Sequence, residues 1–345
     1  MGARRARTVL LVAVTLGLSS AGGSAQAPAP ELRIVTDEAD AALEVLRLRR
    51  SAQPVGDAVW ARLFASEGYR RLKAREAAMG RGFSDPEFRA FLLSDTLLRR
   101  APDLERTLAA WKTVPAEGAA ARALAYLPPG SRLRARVYLL IKPRTNSFVF
   151  EADTDPAIML YLDPALPPAA LENTIAHELH HIGYAGACAE TGDSAGDSAV
   201  STVRRWLGAF GEGVAMLAAA GGPEVHPQAT GKPEDRARWD RDVARVEEDM
   251  RRLERFFLDI LEQRLTDPDS TRQVGMSFFG VQGPWYTVGW VMGTTVERVA
   301  GREALIGALC DPPTLLRRYN QSARAAGRPQ WSDALLARLG PSPAR

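Results

Sequence analysis

Four histidines occur in the 345 residues of the chain, and three of them fall within five positions, His177-Glu178-Leu179-His180-His181. Around them Leu171, Ile175, Leu179 and Ile182 recur at three- and four-residue spacing, the period of a helix with one buried face. Pro164, Pro167 and Pro168 end whatever precedes, so a long helix is expected from about Ala169 to Tyr184. At about 100° per residue, His177 and His181 point about 40° apart, and Glu178 projects to the side of that pair. Pairing His177 with His180 instead turns Glu178 about 130° away from the pair's mean direction. His180 is therefore the histidine left over. Polar side chains on the inner face of a helix need partners, and a metal ion supplies one.

A catalytic zinc takes three protein ligands and keeps a fourth position for water. Continuation into a metzincin motif requires Gly and His three and six residues after His181, where this chain has Tyr184 and Ala187. The candidates for a third ligand downstream are Glu190, Asp193, Asp197, Glu212, Glu224 and His226. Glu212 stands out because it is a lone carboxylate in an apolar helical stretch, Trp206 to Met216, where burial is costly without a cation. Gly208, Gly211, Gly213 and Ala215 are small enough to let that stretch approach the His177 helix. Glu190 to Asp197 read more simply as a solvated loop, and His226 sits in a turn rich in Gly and Pro.

The rest of the chain sorts by texture. Arg4, Arg5 and Arg7 precede a short apolar run, Thr8 to Leu18, and then small residues, the pattern of a secretory leader cleaved after Ala25 or Ala27, with Ala25 favoured. An exported protein, periplasmic or secreted, is expected, with no membrane span in the mature chain; Val288 to Val299 is apolar but short and carries Glu297 and Arg298. The formal charge is +3, and removal of the three leader arginines brings it to zero. No basic stripe with interleaved aromatics is present, which argues against nucleic-acid binding. Hydrophobic residues make up 46% of the chain, enough for a proper core. Cys188 and Cys310 are either bridged, as export permits, or two small buried hydrophobes; they are too far apart in sequence for a thiolate zinc site.

Helical periodicity runs from Asp37 to about Tyr126, including Asp57 to Met79 and Asp85 to Arg100, with a helix start at Ser84-Asp85-Pro86-Glu87. Pro128-Pro129-Gly130 breaks it. Leu133 to Ile141, Ser147 to Glu151 and Ala157 to Leu162 read as three strands, and the chain beyond Ser201 is mostly helical. The expected fold is thus α+β and predominantly helical: a small sheet packed on the histidine-bearing helix, with helical N- and C-terminal parts. The expected division is a leader at 1–25, a helical N-terminal lobe at 26–128 and a metal-binding domain at 129–345.

The combination of HExxH on one helix with Glu212-Gly213-Val214-Ala215 on a later one resembles the gluzincin metallopeptidases. Trp285-Tyr286-Thr287-Val288-Gly289-Trp290-Val291-Met292, then Glu297 and Gly301-Arg302-Glu303, are similar to a bacterial family of zinc-dependent peptidases with no assigned physiological substrate. The likeness spans roughly 130–320. It implies a zincin-like fold, one Zn2+ per chain and hydrolysis of peptide or protein substrates, with an edge strand of the sheet offered to an extended substrate. In that chemistry His177, His181 and Glu212 hold the metal, Glu178 is the general base, and a further donor faces the oxyanion. Tyr286, in the turn that opens a helix, is the first candidate for that donor; His226 and Tyr184 are lesser ones. The same ligands suit a zinc hydrolase of a non-peptide amide or ester. An exported zinc-binding protein without turnover is a further alternative, although it has no need of Glu178.

Overall fold

The structure, a computed structural model, describes residues 29–145, 147–151, 154–188 and 198–340. The leader and the acidic candidates Glu190, Asp193 and Asp197 lie outside them. Strand β1 (Glu31–Val35) opens the described chain, followed by helices α1 (Asp37–Arg50), α2 (Asp57–Ala65), α3 (Glu67–Ala78), α4 (Asp85–Leu92), α5 (Asp95–Trp111) and α6 (Ala116–Leu124). Strands β2 (Arg134–Leu140), β3 (Phe148–Phe150) and β4 (Ala157–Tyr161) lead into α7 (Pro168–Ala187). Then come α8 (Ala199–Leu207), a short 3-10 turn (Gly208–Phe210), α9 (Gly211–Ala220), α10 (Pro233–Val243) and α11 (Val246–Leu261). The chain closes with α12 (Pro268–Ser277), α13 (Pro284–Ala300), α14 (Arg302–Leu309), α15 (Pro312–Ala325) and α16 (Asp333–Arg338). The fold is a predominantly helical α+β structure with one small mixed sheet.

Serines decide where several helices begin. Ser84 accepts from the Glu87 N–H while Glu87 reaches back to the Ser84 N–H, a full capping box with Pro86 in the first turn. The helical stretches at 57–79 and 85–100 are each divided, because Ser66 and Ser94 turn extended and cap new helices through Tyr69 N and Leu97 N. An apolar period that continues across a cap does not reveal the cap.

The sheet has the order β1-β2-β4-β3, with β1, β2 and β4 parallel and β3 antiparallel on β4. Ile34 pairs with Val137, Val137 with Ile158, and Val149 with Ile158. β4 is buried at every position, as a strand covered on both faces must be. β1 is the element that periodicity alone passes over: five residues, Glu31–Val35, alternate on an edge beside β2. The segment before Pro128 therefore contributes a strand as well as helices.

Two apolar cores share the molecule. One joins α1 to α6, the sheet and the inner face of α7 through Leu171, Ile175, Leu179 and Ile182. The other gathers α8, α11 and α13 to α16 around Trp285, Phe257 and Trp331. Helix α9 serves both, with Val214 and Ala219 in the first and Leu217 and Ala218 in the second. Helix α9 lies against α7 as expected, and its tightest approach is to α13: a Cβ on Gly213 would lie 2.0 Å from the Trp290 nitrogen, and one on Gly289 would lie 2.5 Å from the Phe210 oxygen. Gly208 and Gly211, equally small, face open space. Among the described residues, no helix is long and apolar enough to cross a membrane.

Candidate metal centre

Helix α7 runs through the histidine motif without a break, so His177 and His181 lie one turn apart with their rings 4.6 Å between centroids. Glu212 enters from the first turn of α9. The His181 Nε2 to His177 Nε2 distance is 3.0 Å, and Glu212 Oε2 lies 3.2 Å from His177 Nε2 and 3.1 Å from His181 Nε2. Tetrahedral zinc, with bonds of about 2.0–2.1 Å, spaces its nitrogen and oxygen ligands about 3.3 Å apart. Three donor atoms in a near-equilateral triangle of almost that edge fit a single divalent cation.

The three groups are also strongly coupled through their charges. Burial would raise the Glu212 carboxyl, but the His181 charge and hydrogen bonds from both imidazoles outweigh it and hold the group well below the usual carboxylate range. Burial would lower His181, and the Glu212 charge and hydrogen bond raise it instead. His180 behaves differently. It is fully buried, its Nε2 lies 3.3 Å from the Tyr126 carbonyl, and burial pushes it down to about 3, so it stays neutral and donates to that carbonyl. It ties α7 to the residues after α6 and takes no part in the trio.

Glu178 is half-buried on α7, and its charge acts on both His181 and Tyr286. Tyr286, in the first turn of α13, stacks on His177 with centroids 6.2 Å apart and planes 14° apart. Burial, then the charge of Glu212 and a hydrogen bond to it, raise the phenol well above its ordinary value, so it keeps its proton. The structure thus brings together His177, His181, Glu212, Glu178 and Tyr286.

The other candidates are occupied elsewhere. Glu224 pairs with Arg298 at 2.9 Å. His226 has both ring nitrogens engaged, Nδ1 by the Gln228 N–H at 2.9 Å and Nε2 by Asp240 Oδ1 at 2.9 Å. Tyr184 is half-buried against the first core, and burial raises its phenol. Three polar residues that tie the loop before α10 to α7 and to the head of α13 were not singled out by sequence: Asn173, Gln228 and Gln282. Only Asn173, four residues before His177, carried a positional signal.

Two helices supplying a His-Glu-x-x-His motif and a distal glutamate, with a small mixed sheet beside them, define a helical α+β protein with a candidate metal site. The chain matches, over residues 60–327, a family model described as "Putative zinc dependent peptidase". It belongs to that family. No curated protein and no solved structure matches it.

Proposed function

We propose that the protein is a gluzincin-like, zinc-dependent peptidase that hydrolyses peptide bonds in peptide or protein substrates. The observation that carries this reading is the convergence of His177, His181 and Glu212 on one point, with Glu178 and Tyr286 beside it. A zinc ion held by those three would supply Lewis acidity toward water and a carbonyl oxygen. Glu178 takes a proton from water as the water oxygen bonds to the carbonyl carbon. It returns that proton to the amide nitrogen as the C–N bond breaks. Tyr286, kept protonated by its surroundings, donates a hydrogen bond to the developing oxyanion.

Strand β3, the antiparallel edge of the sheet, packs near α7, and an extended substrate adding to that edge would run past the site. Membership of β1 in the sheet supports a permanent N-terminal lobe rather than a removable segment. The leader composition supports export to the periplasm or beyond, and the Cys188–Cys310 bridge is at home in an oxidising compartment.

Metal content of the purified protein, measured by mass spectrometry beside hydrolysis of an unstructured protein, tests the reading. About one zinc per chain is expected. Glu178→Gln keeps the zinc and loses about 10²- to 10⁴-fold in turnover, whereas Glu212→Ala loses the metal. A protein that binds no zinc after reconstitution overturns the proposal. Zinc retained with cleavage of esters or small amides alone would reassign the substrate class.

A further inference from the structure

The turn that places Tyr286 is held in an unfavourable backbone. Gly280 has φ of 48° and Gln282 has φ of 60°. A left-handed conformation comes at no steric cost to glycine but is disfavoured for a residue with a Cβ, and it persists where surroundings hold it. Gly283 follows under a second constraint, since a Cβ there would lie 2.7 Å from the Phe278 oxygen. The Gly283 carbonyl then accepts from the Tyr286 and Thr287 N–H groups at 2.9 and 3.1 Å, starting α13.

One side-chain tether reaches this turn from the loop between α9 and α10. Gln228 Nε2 donates to Gln282 Oε1 at 2.7 Å. Gln228 is itself held through its backbone, where its carbonyl accepts from the Gly231 N–H at 3.2 Å. Its N–H is taken by His226, which Asp240 of α10 orients, and two residues on Thr230 accepts from Asn173 at 2.8 Å. Asn173 lies one helical turn before His177, and Gln282 lies four residues before Tyr286. The loop is therefore pinned at one end beside the His177 helix and at the other to the head of α13.

We propose that Gln228 is a positioning residue which, through Gln282, holds the first turn of α13 so that the Tyr286 hydroxyl faces Glu212 and the metal-binding trio. The proposal rests on the peptidase reading of the site. The clasp is a single neutral hydrogen bond with no contact to the trio, so its loss leaves metal binding intact and frees the Tyr286 turn.

The test is a double-mutant cycle on zinc-loaded protein. Gln228→Ala and Gln282→Gly, the second of which also relieves the left-handed backbone, are each expected to lower kcat about 5- to 10-fold. KM and zinc content stay unchanged, and the two losses are not additive. In a Tyr286→Phe background neither substitution lowers kcat further. An undiminished extra loss in that background, or unchanged kcat in both single variants, overturns the proposal. Amide exchange of Tyr286 and Thr287, followed by mass spectrometry, gives a reading that needs no turnover. It should quicken in Gln228→Ala, and unchanged exchange overturns the clasp even if the wild type cleaves nothing. Full turnover in Tyr286→Phe would remove Tyr286 from the peptidase reading, while the exchange result still decides whether Gln228 holds the turn.

Discussion

Tyr286 carries one hydroxyl whose worth can be isolated. Its ring stacks on His177, and the Glu212 charge acts on its hydroxyl. Tyr286→Phe keeps the stack and removes only the donor, so zinc content and thermal midpoint should hold while kcat falls about 10²-fold. Steady-state kinetics beside metal analysis checks this; an equal fall in zinc content would make Tyr286 a support of the metal site instead. The motif histidines and Glu178 were legible because their spacing has one helical solution, and Glu212 because a lone carboxylate among apolar neighbours needs a cation. Glu38 was not legible. It sits in an acidic first turn that looks solvated, yet it is fully buried, with its Oε2 accepting from the Ile141 N–H, 103 residues away. Burial raises it from 4.5 to about 8, with the Asp37 charge adding and the Ile141 hydrogen bond and Lys142 charge opposing. Between those two values the folded state holds a proton that the unfolded state has released, so stability from this group declines as pH rises through the window. Burial lowers Lys142 from 10.5 to about 8, so its contribution instead recovers as pH climbs above 8. Glu38→Gln should abolish the lower decline, a difference on the order of a few kcal/mol between pH 5 and pH 8. Urea midpoints of both proteins at both pH values measure it, and parallel losses in the two would clear Glu38 of the effect.

At the scale of elements, the trio depends on how α9 lies between α7 and α13. Small residues around Glu212 announced a close contact with α7, which the structure has, but gave no sign of a tighter approach on the other side. The structure assigns it to α13, through Gly213 against Trp290 and Gly289 against Phe210. Both clashes are with backbone, which cannot rotate aside, so Gly213→Ala must separate the helices that carry Glu212 and Tyr286. A loss of about 1–3 kcal/mol or more is expected, with weakened zinc binding because Glu212 is the adjacent residue. Gly211→Ala, on the other side of Glu212 and facing open space, should leave both unchanged. Thermal melts and zinc titrations of the pair decide it; equal losses from the two would show that the contact of Gly213 with Trp290 is not what sets the stability of α9. The same limit on sequence explains the divided helices at Ser66 and Ser94. The period of an apolar face says that helices are present, and a cap that interrupts it is set by local hydrogen bonds.

The whole molecule is assembled around a seam between its two cores, with α7 in one, α13 in the other and α9 in both. Strand β1 was hidden in the sequence because five edge residues acquire their meaning only from β2, about a hundred positions later. The pairing of Cys188 with Cys310 was equally undetermined there, since it depends on bringing the end of α7 to the end of α14, which the fold does with Cα atoms 5.0 Å apart. The bridge closes a loop of 122 residues containing α8 through α14, and so both Glu212 and Tyr286. A cross-link of that span acts mainly by restricting the unfolded chain, and its removal is expected to cost about 2–5 kcal/mol. Because the folded contacts at the trio do not include either cysteine, Cys188→Ser with Cys310→Ser should retain zinc stoichiometry and kcat at 25 °C while the thermal midpoint falls by several degrees. Melting curves of the double variant and of wild type with and without reductant provide the check. Reductant should bring the wild type down to the variant's midpoint and leave the variant unmoved. A wild-type midpoint insensitive to reductant and equal to the variant's would mean that the ends of α7 and α14 are held by packing alone.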